Sequence, residues 1–292
     1  MKNINKLQHN PNLVLALGFF DGIHIAHQKI IKQAVELAKE NTLKSALITF
    51  KEHPLVELKN YKIDYLYNNK EKCQMIQDLG IDYVYMLDFK DYKDLNADEY
   101  IKILHENFNP KFIVTGFNHT FGKNQTGNQQ FLEENQKKYN YIYKKIEPMC
   151  YKNELISTTN IKDKLSKGEI PIANKLLGRN YKITNEVIKG QQLGRKLGFP
   201  TVNLEWQENI FKLPYGIYKG KVFDKKALIN WGVRPTVDGK KEILEAHILD
   251  FNKNIYGQKI DVFFEEKIRD EKKFNSLDAL KHQITLDIKS IQ

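Results

Sequence analysis

The loop at residues 18–27 has the residue types of a phosphate-binding site. His24 and His27 stand three residues apart, and Gly18 and Gly22 precede them, just before a helical pattern begins. Imidazole groups and the free N–H groups of a helix N-terminus both stabilise phosphate anions. A single histidine at this point would more commonly cap the helix, but the pair favours a phosphate site.

Three further segments, 49–54, 116–123 and 156–162, place polar residues where predicted strands end or a helix begins. Glycines in the second segment permit close approach of the backbone to a ligand. Hydroxyl groups in the third segment either cap a helix or bind a phosphate at its N-terminus. These hydroxyls belong to Ser157, Thr158 and Thr159.

The segment 190–203 is a second candidate phosphate site. Glycine-rich loops bind phosphates through backbone N–H groups, and Thr201 and Asn203 would face the same side of a strand. Mg²⁺ suits such a site because it takes few protein oxygens together with substrate phosphates. The alternative is a glycine-containing hairpin turn beside a proline. The residues concerned are Gly190, Gly194, Arg195, Lys196, Gly198, Thr201 and Asn203.

The composition is that of a globular chain with one large or two ordinary domains: 292 residues, 41% hydrophobic and 28% charged. No stretch approaches the roughly 18 consecutive apolar residues of a membrane span, and residues 1–12 are polar. We therefore expect a cytoplasmic protein with no membrane partner. Cys73 and Cys150 lie far apart and outside any Cys-x-x-Cys pair, which indicates neither a disulfide framework nor a zinc site.

The net charge of +10 is spread along the chain, with +4 in residues 1–178 and +6 in residues 179–292. A diffuse excess favours anionic partners in general, including phosphate-bearing metabolites. A protein that binds a nucleic-acid groove is expected to concentrate its basic residues in a stripe. Nucleic acid is therefore not the expected partner.

The first half of the sequence alternates strand and helix patterns, which predicts a parallel sheet with helices on both faces. Ligands of such sheets bind outside the carboxyl ends of the strands, so the loops after Leu17, Phe50 and Thr115 are the ones of interest. The predicted strands are 13–17, 45–50, 82–87 and 111–115, and the predicted helices are 28–39, 70–79 and 97–107.

After two short helical patterns at 159–166 and 172–177, the sequence changes character at Gly178. Short alternating strands, broken by Gly, Pro and Asn about every ten residues, predict a small antiparallel barrel. A last helix is expected at 276–288. We place the domain boundary between residues 178 and 179, and the sequence shows no internal repeat.

Residues 18–27 resemble the nucleotidyltransferase module of bacterial bifunctional riboflavin kinase/FAD synthetases, in which Gly-x-Phe-Asp-Gly-x-His-x-Gly-His and Ile-Ser-Ser-Thr-x-Ile-Arg segments bind ATP. Ala26, Asn118, His119, Thr158 and Lys162 depart from the family residues, and residues 1–178 contain no arginine. The resemblance implies a Rossmann-like α/β nucleotidyltransferase domain at 1–178. Its implied ATP-binding residues are Gly18, Phe20, His24, His27, Asn118, Ser157, Thr158 and Thr159.

Residues 190–203 are similar to the kinase signature of the same family, Gly-x-x-x-Gly-x-x-Leu-Gly-Phe-Pro-Thr-Ala-Asn, with Val202 as the departure. Further matches follow in family order at 214–218, 229–236, 245–251, 255–257 and 268–274. The resemblance implies a β-barrel riboflavin kinase domain at 179–292 with a C-terminal helix. Together the two modules cover nearly the whole chain.

The resemblance also implies residue roles for two ATP-dependent steps, riboflavin to FMN and FMN to FAD. Glu245 would be the general base for the 5′-hydroxyl of riboflavin, with Thr201 and Asn203 arranging Mg²⁺ and ATP. The kinase would bind ATP through Gly190, Lys196, Gly198, Thr201 and Asn203, and the flavin near Asn230 and Arg269. Adenylylation needs no base, because the phosphate of FMN is already an anionic nucleophile.

Two alternatives remain open from the sequence. The departures from the family motifs lie mainly in the first module, so the chain could be a riboflavin kinase whose first domain is inactive. A flavin- or nucleotide-binding regulatory protein, contacting RNA through its lysines, would bind ligands without turnover. The intact Glu245 and the segment 201–203 argue against the second alternative.

Overall fold

The computed structural model describes residues 12–190, 193–236 and 239–292, with the backbone alone for residues 193, 196, 234–236 and 239–241. The chain forms two compact units, Met1–Thr158 and Thr159–Gln292. This division precedes residue 178 because a helix at Ile170–Leu177 packs on strands of the second unit. The boundary at 178/179 stays a prediction about where the second sequence module begins.

The first unit is built on a five-stranded parallel sheet with the strand order β3-β2-β1-β4-β5. It confirms the predicted parallel sheet and adds β5, which the sequence patterns did not indicate. A short antiparallel ribbon, β6 and β7, follows. The elements are β1 (Leu13–Leu17), α1 (Ile25–Glu40), β2 (Lys44–Phe50), α2 (Pro54–Lys59), α3 (Asn69–Asp78), β3 (Tyr83–Leu87), α4 (Ala97–Phe108), β4 (Phe112–Gly116), α5 (Gln129–Glu134), α6 (Gln136–Tyr139), β5 (Ile142–Ile146), β6 (Cys150–Tyr151) and β7 (Glu154–Leu155).

The central strand β1 is buried on both faces. Leu13, Leu15 and Leu17 pack on the α4 side, and Val14 and Ala16 pack on the α1 side. A strand covered on both faces has a continuous apolar run, which explains the sequence of residues 13–17.

Asparagine ends several helices of this unit. Asn60, Asn109 and Asn140 are the C-cap residues of α2, α4 and α6, and each has a left-handed backbone with φ of 52°, 40° and 51°. Glycine is the usual residue at such positions, and asparagine is the side-chain-bearing residue that tolerates them best. Because a terminated helix directs the chain back to the sheet, these caps set where each following segment starts.

The second unit contains a six-stranded antiparallel sheet in the order β8-β13-β10-β11-β12-β9. Ile188, just after β8, pairs with Asn203 of β9, so the sheet curves into a nearly closed barrel and confirms the expected fold. Trp231, Tyr218 and Phe264 are fully buried inside it. The elements are α7 (Thr158–Ser166), α8 (Ile170–Leu177), β8 (Tyr181–Glu186), α9 (Leu193–Leu197), β9 (Val202–Leu204), β10 (Gly216–Val222), β11 (Lys225–Thr236), β12 (Gly239–Ile248), β13 (Lys259–Arg269) and α10 (Leu277–Ile291).

The predicted helices at 159–166, 172–177 and 276–288 correspond to α7, α8 and α10. Within the described ranges, no helix combines the length and the apolar character needed to cross a membrane.

Candidate active sites

The first candidate site lies where the order of the parallel strands reverses. β1 pairs with β2 on one side and with β4 on the other, so the chain leaves β1 and β4 in opposite directions. A crevice forms at the carboxyl ends of two such strands, and ligands of open α/β sheets bind there. The loop that contains His24 follows β1, and the loop that contains Asn118 follows β4.

His24 and His27 lie together at the N-terminus of α1. The backbone N–H of His27 donates to Nδ1 of His24 at 3.3 Å, so His24 is the N-cap residue. The two rings stack with centroids 3.5 Å apart and an interplanar angle of 17°. The first turn of α1 has no acidic side chain, so the positive end of the helix dipole is not offset by a carboxylate there. The capping and phosphate interpretations of this pair are therefore compatible.

The loop between β1 and α1 has an unusual backbone. Phe20 and Ile23 have φ of 57° and 41°, and Gly22 has φ of 82°. Side-chain-bearing residues adopt such angles where the surrounding structure enforces them, which is common at functional sites. At Gly22 a Cβ atom would lie 2.5 Å from Cδ1 of Leu66, so any side chain there would be strained and would have to displace Leu66. Phe20 packs in the core beside α1, which leaves its backbone as the part available to a nucleotide.

Asp21 joins two other segments to this loop. Its Oδ1 accepts a hydrogen bond from the backbone N–H of Leu66 at 3.0 Å, and its carbonyl oxygen accepts one from the hydroxyl of Thr158 at 2.8 Å. The structure thereby brings the predicted Thr158 to the histidine loop. Ser157, the residue before Thr158, is half-buried. Thr159, the residue after it, is exposed in the first turn of α7.

The loop after β4 exposes Asn118 and leaves His119 half-buried, with its Nε2 shielded from solvent. Burial lowers the pKa of His119 to about 4, and its Nε2 has no hydrogen-bond partner within the described part of the chain. The ring of His119 stacks on Phe121 with centroids 5.7 Å apart. A neutral, half-buried His119 therefore takes the place of a hydrophobic residue rather than that of a charged ligand.

Ala26 replaces a family glycine, and the structure shows that this position needs no glycine conformation. Ala26 is in the first turn of α1 with a negative φ, and its side chain is half-buried. Gly18 is different, because a Cβ atom there would lie 3.0 Å from the ring of Phe20.

The second candidate site is a row of polar residues across three strands of the barrel. Asn203 of β9 pairs directly with Glu245 of β12, and Glu245 pairs with Asn230 of β11. We call these three residues the polar row. Directly paired residues point to the same face of a sheet, with Cβ atoms about 5 Å apart.

Neighbouring residues show which face this is. Leu244 and Ala246, on either side of Glu245, are fully buried in the barrel, as are Ile229 and Trp231 on either side of Asn230. Since side chains alternate along a strand, the polar row faces away from the apolar core.

A glycine-bearing segment covers Asn203. Asn203 is 4% exposed, and its Oδ1 has no hydrogen-bond partner among the described residues. A Cβ atom at Gly190 would lie 2.6 Å from Oδ1 of Asn203, and one at Gly194 would lie 3.4 Å from the Thr201 hydroxyl. Thr201 and Asn203 therefore both contact the glycine segment. An amide oxygen buried without a partner is an available ligand.

His247 connects β12 to the end of this segment. Its Nδ1 lies 2.8 Å from the carbonyl oxygen of Pro200, and its ring contacts Phe199 edge to face. Gly198 has φ of 92°, and no atom of the described residues lies within 4 Å of a Cβ built there, so the backbone conformation accounts for a glycine at this position. The side chain of Lys196 lies outside the described part of the chain.

The register of the polar row continues through Ile217 of β10 to Arg269 of β13. The Arg269 guanidinium forms a two-pronged pair with Asp287 of α10, with Nη2 to Oδ2 at 2.6 Å and Nε to Oδ1 at 3.1 Å. Its Nη1 donates to the carbonyl oxygen of Asp270 at 3.0 Å, and Gln283 donates to Asp287 at 2.8 Å. Asp287 is 4% exposed, so this is a buried ion pair.

Sequence reasoning missed Asp287, His247 and the buried Lys72 of α3. Asp287 stands four residues after Gln283 on α10, a spacing that places both on one helix face. The spacing of Gln283 and Asp287 does not show whether the helix face that they share is buried or exposed to solvent. Lys72 lies in a polar stretch that suggests an exposed helix, and its burial depends on packing against distant segments.

Comparisons with known proteins agree with both units. The family model described as FAD synthetase matches residues 6–160, and the one described as riboflavin kinase matches residues 177–292. A relative from Buchnera aphidicola subsp. Schizaphis graminum is 37% identical over 99% of this chain and 96% of its own length. One from Escherichia coli K12 is 31% identical over 98% and 95%. Both are described as bifunctional riboflavin kinase/FMN adenylyltransferase.

A crystal structure described as a macrolide-efflux protein from Streptococcus pneumoniae superimposes with a TM-score of 0.90 at 30% identity, covering 100% of this chain and 97% of that one.

The fold and the sites define a two-domain transferase, with an α/β nucleotidyltransferase unit followed by a β-barrel kinase unit. The matches to both modules then identify it further. The chain belongs to the bifunctional riboflavin kinase/FMN adenylyltransferase family. Both enzyme modules are present, which favours the bifunctional interpretation over the two alternatives.

Proposed function

We propose that the polar row is the centre of the kinase site and that the histidine loop is the centre of the adenylyltransferase site. The enzyme phosphorylates riboflavin to FMN at the expense of ATP and adenylylates FMN to FAD. The observation that supports the assignment best is the direct pairing of Glu245 with Asn203 and Asn230 on the face away from the barrel core. We do not propose macrolide efflux, because both units match enzyme families.

In the kinase step, Glu245 takes the proton of the riboflavin 5′-hydroxyl while that oxygen forms its bond to the γ-phosphorus of ATP and ADP leaves. Phosphoryl transfer depends mainly on positioning and charge stabilisation, and the base assists. Gly190, Lys196 and Gly198 belong to the segment that we assign to the ATP phosphates, which binds them chiefly through backbone N–H groups.

The residues of this site fit Mg²⁺. The Oδ1 of Asn203, which has no hydrogen-bond partner among the described residues, and the nearby hydroxyl of Thr201 are hard oxygen ligands. When bound, Mg²⁺ neutralises charge on the transferring phosphate. The described residues contain no group of three or more His, Cys, Asp or Glu placed to hold a metal ion. We therefore propose that Asn203 and Thr201 hold Mg²⁺ together with ATP phosphates and water.

Asn230 and Arg269 extend the register of the polar row away from Asn203, and we propose that they border the flavin. Asn230 is half-buried on the same face as Glu245, with amide groups suited to the polar edge of a flavin. Since Asp287 engages Nε and Nη2 of Arg269, the guanidinium is held in one orientation. Arg269 then acts from a fixed position rather than as a mobile side chain.

In the adenylylation step, the phosphate of FMN attacks the α-phosphorus of ATP and pyrophosphate leaves. No base is required, so the site must position the reactants and stabilise negative charge. We propose that His24, His27 and the N-terminus of α1 stabilise the ATP phosphates. Further ATP contacts are proposed for the backbones of Gly18 and Phe20 and for the side chains of Asn118, Ser157, Thr158 and Thr159, with Thr158 placed by its bond to Asp21.

A direct test incubates the purified chain with ATP, Mg²⁺ and either riboflavin or FMN and separates the flavins by chromatography. We expect FMN and FAD from riboflavin, and FAD from FMN. FMN alone from riboflavin, with no FAD from FMN, would contradict the proposed adenylyltransferase site. Use of ATP in both steps supports the proposal of a cytoplasmic location, and neither step involves nucleic acid.

A further inference from the structure

Lys72 is a buried lysine behind the histidine loop. It belongs to α3, is 4% exposed, and its side chain extends to the carboxyl ends of β1 and β2. Nζ lies 3.3 Å from the carbonyl oxygen of Phe19 and 3.2 Å from that of Phe50, with the hydroxyl of Thr49 at 3.5 Å. One ammonium group therefore bonds both to the loop that follows β1 and to the last residue of β2.

Lys72 makes no ion pair with any residue that the structure describes. Its oxygen partners are two carbonyl groups and a hydroxyl, and the ring of Phe19 lies 4.5 Å from Nζ. Oxygen dipoles and an aromatic face stabilise a cation without cancelling its charge. Burial without a carboxylate partner is costly, and desolvation lowers the pKa of Lys72 to about 8.

A neutral side chain of similar length would avoid this cost. The Phe19 carbonyl also accepts a hydrogen bond from Thr49 at 2.7 Å, so β1 and β2 are joined at this point without the ammonium group. The position of the charge explains why a lysine, and not a neutral residue, occupies position 72. Phe19 directly precedes the strained turn at Phe20 that leads to His24, at the edge of the sheet where the proposed phosphates bind.

We propose that Lys72 is a positioning residue of the adenylyltransferase site, whose charged ammonium group holds the loop after β1 to the end of β2 and supplies a positive charge behind the histidine loop. The proposal rests on the proposed adenylyltransferase function of this unit. It assigns part of the charge stabilisation of ATP and FMN phosphates to a residue that contacts neither substrate directly.

The alkaline side of the pH profile tests this role. Above about pH 8 the ammonium group loses its proton, so FAD formation should decline there while the fold stays intact. Since the folded pKa lies below the ordinary value of 10.5, deprotonation favours the folded state and stability rises between the two values. The titratable groups that act on Lys72 are Asp21 of the loop after β1 and Cys73 of α3, with His53 and Tyr65 across the Phe19 ring.

The experiment compares the full chain with Lys72→Met, Lys72→Arg and Lys70→Met, the last being the same change at an exposed position of the same helix. For each protein, kcat and KM for FAD formation from FMN are measured from pH 6.5 to 9.5. FMN formation by the second unit is the internal reference, and thermal unfolding reports the fold.

We expect Lys72→Met to lower kcat/KM for FAD formation at least about tenfold with FMN formation unchanged and no loss of thermal stability. Lys72→Arg should retain FAD formation and lose the decline above pH 8, and Lys70→Met should match the parent chain. FAD formation within twofold of the parent in Lys72→Met, or a loss that parallels a lower unfolding temperature in both Lys72 variants, would overturn the proposal. No FAD from the parent chain would instead overturn the adenylyltransferase function, and the proposal with it.

Discussion

Glu245 and Asn203 face each other directly across the antiparallel pair β12 and β9. The pairing places a carboxylate next to the amide that is buried beneath Gly190. The proposed base for the acceptor hydroxyl and the proposed oxygen ligand for the metal thus lie on adjacent strands, with Cβ atoms about 5 Å apart. In-line phosphoryl transfer needs this closeness between acceptor and donor groups.

Replacing the proposed base should separate the two activities. Glu245→Gln keeps the size of the side chain but cannot accept a proton, so FMN formation should fall about a hundredfold or more. FAD formation from supplied FMN should be unchanged, because it uses the other unit. Glu266→Gln, an exposed glutamate of β13, is the matched control, and flavin chromatography is the measurement. A parallel loss of both products in a folded protein would contradict two separate sites.

Gly190→Ala tests the packing over Asn203. The added methyl group would lie 2.6 Å from the amide of Asn203 and must displace it. A displacement of about 1 Å at a reacting site can cost about a hundredfold in rate, so we expect that loss in FMN formation. Lys189→Ala changes the exposed preceding residue and should have little effect. Normal kinase kinetics in Gly190→Ala would show that Asn203 is not held where the site needs it.

Removing Asp287 should destabilise the barrel and weaken riboflavin binding. Asp287→Ala leaves the guanidinium of Arg269 in a buried position without its partner, which typically costs about 3 kcal/mol or more. Chemical denaturation followed by tryptophan fluorescence measures this unit alone, because Trp206 and Trp231 both belong to it.

Asp270→Ala is the comparison for that variant, because Asp270 pairs with Lys267 at the surface and its side chain is 84% exposed. Its denaturation midpoint should match that of the parent chain. If both substitutions lower the denaturation midpoint equally, the Arg269–Asp287 pair contributes no more to the stability of the barrel than a surface ion pair does.

His24→Asn should distinguish capping from phosphate binding. Asparagine caps helices well, so the start of α1 is maintained while the imidazole is lost. If the ring stabilises phosphate charge, FAD formation should fall about a hundredfold with FMN formation intact. His105→Gln, on α4 and away from the sheet edge, should behave as the parent chain. Full FAD synthesis by His24→Asn would leave capping as the role of His24.

The acid stability of the first unit should depend on His119. Its pKa is lowered by burial from 6.5 to about 4, so the unfolded chain binds a proton in this interval and the folded chain does not. The free energy of unfolding should therefore fall as the pH falls through that window, by up to about 1.4 kcal/mol per pH unit.

His119→Phe should remove this dependence, as measured by urea denaturation followed by circular dichroism. Tryptophan fluorescence of the second unit, which lacks this histidine, provides the reference signal in the same samples. An unchanged slope in the variant would place the acid sensitivity elsewhere.

Periodicity was sufficient to predict the parallel sheet, the barrel and the helix that became α10, because each is built on strong apolar patterns. It did not indicate β5, because the residues Ile142–Ile146 include two lysines and only Tyr143 and Ile146 are buried. Edge strands of a parallel sheet lose the continuous apolar run of a central strand such as β1.

The candidate site residues were predicted from motifs, and the motifs did not predict how these residues are arranged. The alignment of Asn203, Glu245 and Asn230 depends on the register of three strands, and a shift of one residue would turn Glu245 into the core. Turn geometry and packing set that register, and neither can be read from the separate motifs. Lys72 was missed because its burial arises from contacts with Phe19 and Phe50, which are distant in the sequence.

The asparagine caps of α2, α4 and α6 show that a left-handed backbone does not by itself require glycine. Asn60, Asn109 and Asn140 each carry a side chain at a positive φ. Gly22 and Gly122 also have a positive φ, but a Cβ there would lie 2.5 Å from Leu66 and 2.8 Å from the Ala97 nitrogen. Steric crowding, and not backbone conformation alone, therefore decides which left-handed positions of this enzyme accept a side chain.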